Sequence, residues 1–89
     1  MALQIINAGP APEETAGRIR QAISAAMPEA TIEVVPRGPG HFELKVTDGS
    51  FAGLSRVKQQ QKVYGAITEL MSGPQPPVHA IDRLECLVP

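Results

Sequence analysis

The sequence predicts an α+β domain in which helices pack on one face of a three-stranded sheet. Three observations carry that expectation. Residues 51–71 form the longest stretch with helical periodicity, residues 41–47 alternate apolar with polar side chains, and residues 31–35 make a short β-branched run joined to them by the turn-forming PRGPG. The 89 residues form one small domain. A chain of that size buries only about 60% of the surface its unfolded form exposes, which leaves little room for a deep pocket. Apolar residues make up 43%, but only Phe42, Phe51 and Tyr64 are aromatic, so the core is expected to be aliphatic.

Taken in order, residues 1–9 read as an N-terminal tail and 10–89 as a single domain. Leu3, Ile5 and Ile6 could add an edge strand, but chain ends are ordered only when tied down, and the tail reading is preferred. Pro12 suits the first turn of a helix, Glu13 and Glu14 suit its positive end, and Ala16, Ile19, Ala22, Ile23, Ala26 and Met27 form its apolar stripe. Pro28 ends it. Residues 31–35 and 41–47 are expected to pair as an antiparallel hairpin, burying Phe42, Leu44 and Val46 and exposing His41, Glu43 and Lys45. Asp48, Gly49 and Ser50 form a second turn, and Phe51 and Leu54 anchor a short helical turn.

Ser55 is then an N-cap for a long helix that runs to Ser72 and Gly73. Its periodicity places Val57, Val63, Tyr64, Ile67, Leu70 and Met71 on one face, with Lys58, Lys62 and Glu69 opposite. Gln60 falls in the middle of the apolar face, where its amide needs hydrogen-bond partners. Residues 78–88 read as a last strand with imperfect alternation, and a bulge at Asp82 and Arg83 would place Ile81, Leu84, Cys86 and Val88 on one face.

The formal charge of −1 gives no global field to attract nucleic acid or an anionic membrane. Cys86 is the only cysteine, which excludes an internal disulfide or a cysteine-only metal site and suits a reducing compartment. The opening MALQII lacks the basic start and the apolar length of a signal peptide, and no run reaches membrane-spanning length, so a cytoplasmic protein is expected. The serines and acids show no nucleophile–base–orienter spacing, and the chain is read as non-enzymatic.

His79 begins the last strand beside the small Ala80, and His41 opens the second strand after the glycine-rich turn. Neutral imidazole is a metal ligand and a proton carrier near pH 7, although the plainer reading of each is a histidine at a strand end. Two histidines do not complete a zinc site, so a partner would have to supply the remaining donors, as at an interface iron–sulfur cluster. Cys86 is expected to pack as a small apolar side chain. Arg56, Lys58 and Lys62 lie in an acid-free stretch and could contact nucleic acid. A G-x-x-G clamp and an aromatic-rich strand face are both missing, and three helix cations are more often a solvated face.

HFELKV, FAGLSRVKQQQKVYG and VHAI together resemble the BolA-like family, and the form SRVKQQQKVYG is similar to its IbaG-type branch. The resemblance runs from Pro12 to Cys86. It implies a class II KH-like α-β-β-α-α-β fold, which agrees with the order read from the residues. It also implies a partnership with a monothiol glutaredoxin, with or without a bridging [2Fe–2S] cluster for which glutaredoxin and glutathione supply sulfur. The histidine of the VHA-type motif, here His79, is then a cluster ligand. A second ligand comes from the first hairpin loop, where PRGPGH offers only His41.

Many relatives carry a basic-histidine-basic triplet where this chain has Gln59, Gln60 and Gln61. The TPEEW-like run that follows the last strand in relatives does not occur in the sequence. The expected role is a non-enzymatic partner of a glutaredoxin in iron–sulfur trafficking or in iron or stress regulation, monomeric when alone. The alternative is a nucleic-acid-binding transcriptional regulator of KH-like fold that uses Arg56, Lys58 and Lys62 for weak contact with DNA.

Overall fold

A computed structural model describes residues 11–89. The expected tail and its possible edge strand lie outside them. Helix α1 spans Pro12–Ala26, with Pro12 in its first turn, Glu13 and Glu14 at its positive end and Met27 at its C-cap. Ala16, Ile19 and Ile23 are fully buried and Met27 nearly so. Ala26, expected on the same stripe, is exposed.

Strand β1 spans Thr31–Gly38 and β2 spans His41–Thr47, paired antiparallel. β1 therefore continues through Pro36 and Arg37, three residues beyond the expected end. An edge strand accommodates this, because the missing N–H of proline need not serve a ladder on both sides. Pairing shifts between Pro36 and Gly38, which leaves Arg37 as a bulge residue. Its guanidinium meets Glu43 at 3.2 Å across the ladder.

A 3-10 turn over Gly49–Phe51, helix α2 over Arg56–Ala66, and a second 3-10 turn over Thr68–Met71 carry the chain from β2 to strand β3, Ala80–Leu87. β3 pairs parallel with β2, so the sheet is mixed and ordered β1-β2-β3. A parallel pair requires such a crossover, and α2 provides it. The expected element order holds, and the short helical turn expected around Phe51 is the 3-10 turn Gly49–Phe51. The expected bulge in the last strand is also present. Phe42 pairs with Ile81 and Glu43 with Arg83, so Asp82 is the extra residue, and Leu84 and Cys86 then fall opposite Leu44 and Val46.

The long helix departs from expectation in two ways. It ends at Ala66 rather than Ser72, because the Thr68 hydroxyl donates to the Tyr64 carbonyl at 2.9 Å and the Ile67 N–H donates to the same carbonyl at 3.2 Å. These shorter closures draw the chain into 3-10 geometry just after Gly65, a poor helix former. Its buried face is also turned. Val63, Ile67 and Leu70 are buried as expected, but Val57 is 61% and Tyr64 37% exposed.

Gln59, not Gln60, is the polar anchor beneath α2. Its side-chain amide donates to the carbonyls of Phe51 at 3.1 Å and Leu54 at 3.3 Å. With so few large apolar residues in the stretch, periodicity alone fixes the face loosely. The half-buried Ala66 and a satisfied Gln59 take positions that the pattern assigned to Val57 and Tyr64.

The core lies between the two helices and one face of the sheet, around Phe42, Leu44, Val46, Phe51 and Val78. The opposite sheet face carries Glu33, Glu43, Lys45, Arg83 and Glu85, with Glu33 and Glu85 each opposite Lys45. No helix among the described residues is long and apolar enough to cross a membrane.

Candidate functional site

The two histidines singled out in the sequence lie at the same end of the sheet. His41 is the first residue of β2 and faces Ala80 in the parallel ladder; His79 immediately precedes Ala80. The connection that delivers His41 is Pro39–Gly40. Gly40 has φ +77°, and proline followed by a positive-φ glycine is the composition of a type II turn.

Gly40 also holds His79. Its carbonyl accepts the N–H groups of His79 at 2.7 Å and Ala80 at 3.1 Å. The imidazole of His79 lies so close over Gly40 that a Cβ there would come within 2.7 Å of the ring Cγ and 2.9 Å of Nδ1. On the preceding side, Val78 is fully buried and its N–H donates to the Leu70 carbonyl at 3.1 Å. The backbone through His79 is thus tied both to the crossover and to the first hairpin. The side chain is exposed and makes no hydrogen bond with another described residue.

His41 is placed differently. Its Nδ1 lies 2.9 Å from Oδ1 of Asp82, with the two side chains 46% and 42% exposed. A carboxylate can only accept, so Nδ1 carries the hydrogen and, in the neutral ring, Nε2 keeps the lone pair. Among the described residues, no three His, Cys, Asp or Glu side chains are grouped closely enough to hold a metal ion. The histidines offer imidazole nitrogen, which can replace thiolate at iron in a cluster, but fewer donors than a protein-only centre requires.

Cys86 sits on the core side of β3, half-buried and packed against the apolar cluster. Burial pushes its thiol above the usual range, which opposes formation of the thiolate that binds metal. Its expected packing role agrees with this position. Arg56, Lys58 and Lys62 are all exposed on α2.

The sequence reading did not find Asp82 or Gly40. Asp82 was visible only as a break in strand alternation. Gly40 was visible only as turn chemistry, and its second role depends on a residue 39 positions away that the crossover brings back.

Residues 20–87 match the family model described as BolA-like protein. The solution structure of BolA1 from Mus musculus is similar over 97% of this chain and 77% of that one, with 24% identity and a TM-score of 0.70. The BolA domain of SufE1 from Arabidopsis thaliana is similar over 84% of this chain and 92% of that one, with 26% identity and a TM-score of 0.69. The XC975 protein in solution is 31% identical over 94% of this chain and 96% of its own, with a TM-score of 0.58. No curated protein sequence matches the chain.

Proposed function

The chain belongs to the BolA-like family, and from that membership and the two histidines at one end of its sheet we propose that it is a non-enzymatic partner of a monothiol glutaredoxin. In this reading His79, with His41, ligates a [2Fe–2S] cluster shared with the glutaredoxin and glutathione, and the complex serves iron–sulfur trafficking or iron and stress regulation. The similarity of the SRVKQQQKVYG stretch to the IbaG-type branch supports assigning the chain to that branch within this proposal.

The observation that carries the reading is the way His79 is held. Its backbone is pinned at Gly40, while its ring is exposed. An exposed imidazole on a fixed backbone suits a ligand that meets a metal brought by another protein, because no backbone ordering remains to be done on binding. When bound, the cluster would be the cargo, and imidazole ligation raises its potential relative to thiolate. The occurrence of a BolA domain as part of SufE1 agrees with a module that works alongside other domains.

The test is co-purification with a monothiol glutaredoxin and glutathione, followed by absorption and visible circular dichroism of the wild type and His79→Ala. The expected result is a bridged-cluster spectrum that His79→Ala alters or abolishes while the apo fold is retained. An unchanged spectrum would remove His79 from the ligand set.

A further inference from the structure

We infer that Asp82 is a positioning residue for His41, holding the imidazole in the Nδ1–H tautomer so that Nε2 is the atom presented to a metal. The inference rests on the shared-cluster reading for its purpose but not for its geometry.

The geometry starts from the bulge. In an unbroken parallel ladder the partner after Phe42 and Ile81 would be Glu43 with Asp82, yet Glu43 pairs with Arg83. Asp82 is therefore released from the ladder. Bulges re-aim side chains in this way beside functional sites. The freed carboxylate reaches back to the first residue of β2 and takes Nδ1 of His41 at 2.9 Å.

Glu43, the neighbouring acid on β2, does not compete for His41, because it is engaged by Arg37 at 3.2 Å. A carboxylate on the non-ligating nitrogen of a histidine fixes the tautomer and ring orientation and raises the basicity of the other nitrogen. His79 makes no such bond with the described residues and is oriented by packing on Gly40 instead. The two histidines would thus be prepared for ligation by different devices.

The first measurement uses the apo protein alone: long-range 1H–15N correlation of the His41 ring at a pH where it is neutral. The wild type should show Nδ1 protonated and Nε2 bare. Asp82→Ala should shift the ring towards the Nε2–H form, which free imidazole side chains favour, and Asp82→Asn, which keeps an acceptor oxygen, should restore much of the wild-type pattern. A wild-type ring protonated at Nε2, or one unmoved by Asp82→Ala, would overturn the inference whatever the cluster does.

The second measurement compares cluster-bridged complexes of wild type, His41→Ala, Asp82→Ala and Asp82→Asn by visible circular dichroism and by nitrogen hyperfine couplings of the reduced cluster. His41→Ala should remove one imidazole coupling. Asp82→Ala should change the same coupling and raise the cluster release rate about tenfold, and Asp82→Asn should change it less. Cluster properties of Asp82→Ala identical to wild type would overturn the positioning role and leave the shared-cluster reading standing. Failure of that reading itself would appear separately, as a spectrum indifferent to His79→Ala.

Discussion

The side-chain amide of Gln59 donates to the Phe51 carbonyl at 3.1 Å, joining the first turn of α2 to the 3-10 turn that precedes it. A second bond, to Leu54 at 3.3 Å, closes the same loop. Phe51 is fully buried, so the amide fixes the path by which the chain leaves the core and enters the crossover. The glutamine triplet is therefore asymmetric, with Gln59 hydrogen-bonded to the preceding turn, Gln60 half-buried and Gln61 exposed.

Replacing Gln59 with alanine should cost about 1–2 kcal/mol, since two partly buried carbonyls each lose a donor and that of Phe51 keeps only the Leu54 N–H. Gln61→Ala, on the exposed side, should stay within about 0.5 kcal/mol of wild type. Urea unfolding followed by far-UV circular dichroism measures both. Equal effects at the two positions would show that the Gln59 bonds contribute nothing to stability.

The position of Gln59 shows where the sequence was readable. The alternation of Phe42, Leu44 and Val46 identified the buried face of β2, and the break at Asp82 located the bulge, because a period of two is sensitive to a single inserted residue. Helical periodicity is more forgiving. A face containing Gln59 and Ala66 and one containing Val57 and Tyr64 both fit residues 56–71, and only the carbonyls at Phe51 and Leu54 decide between them. At the site, the two histidines were legible as residue types at strand starts. Asp82 and Gly40 were not, because each acts across a parallel crossover whose pairing no local pattern encodes.

Gly40→Ala tests the cradle beneath His79. At φ +77° a side chain is strained, and the added Cβ would lie 2.7 Å from the His79 ring, so the imidazole must move. The variant should lose about 1–3 kcal/mol of stability, shift the His79 ring resonances of the apo protein and weaken cluster binding towards the level of His79→Ala. Gly38→Ala has open space around its Cβ and should do none of these. Unmoved His79 resonances in Gly40→Ala would mean that the ring does not depend on the glycine.

Asp48 gives the fold a defined pH dependence. Its side chain accepts from the hydroxyl and the backbone N–H of Ser50, and these bonds, the hydroxyl first, hold its carboxyl below the usual range. Its N–H also donates to the Leu87 carbonyl at 2.9 Å, tying the end of β2 to β3. A carboxylate with a depressed folded-state pKa takes up its proton later than the unfolded chain does, so its contribution is present above the unfolded value and is lost as pH falls through the folded one. The stability advantage of wild type over Asp48→Asn should therefore shrink on acidification below about pH 4. Urea midpoints measured from pH 6 to pH 3 check this, and parallel pH profiles would discard the assignment.

Cys86 is the only thiol in the chain, and its position on the core side of β3 predicts inertness in two separate respects. Burial raises its pKa, so at pH 8 the thiolate fraction is smaller than for a free cysteine and alkylation by iodoacetamide should be slow, accelerating when urea opens the fold. A thiol pKa raised in the native state also means that any stability it contributes persists below the unfolded pKa and fades only as pH rises above it. The second respect concerns the cluster: Cys86→Ala should leave the absorption and visible circular dichroism of the glutaredoxin-bridged complex unchanged, at a stability cost of about 1 kcal/mol for the lost packing. Rapid native-state alkylation together with an altered cluster spectrum in Cys86→Ala would move the ligand set from the two imidazoles at the strand starts to the thiol, because a side chain packed into the core cannot show both behaviours without leaving it.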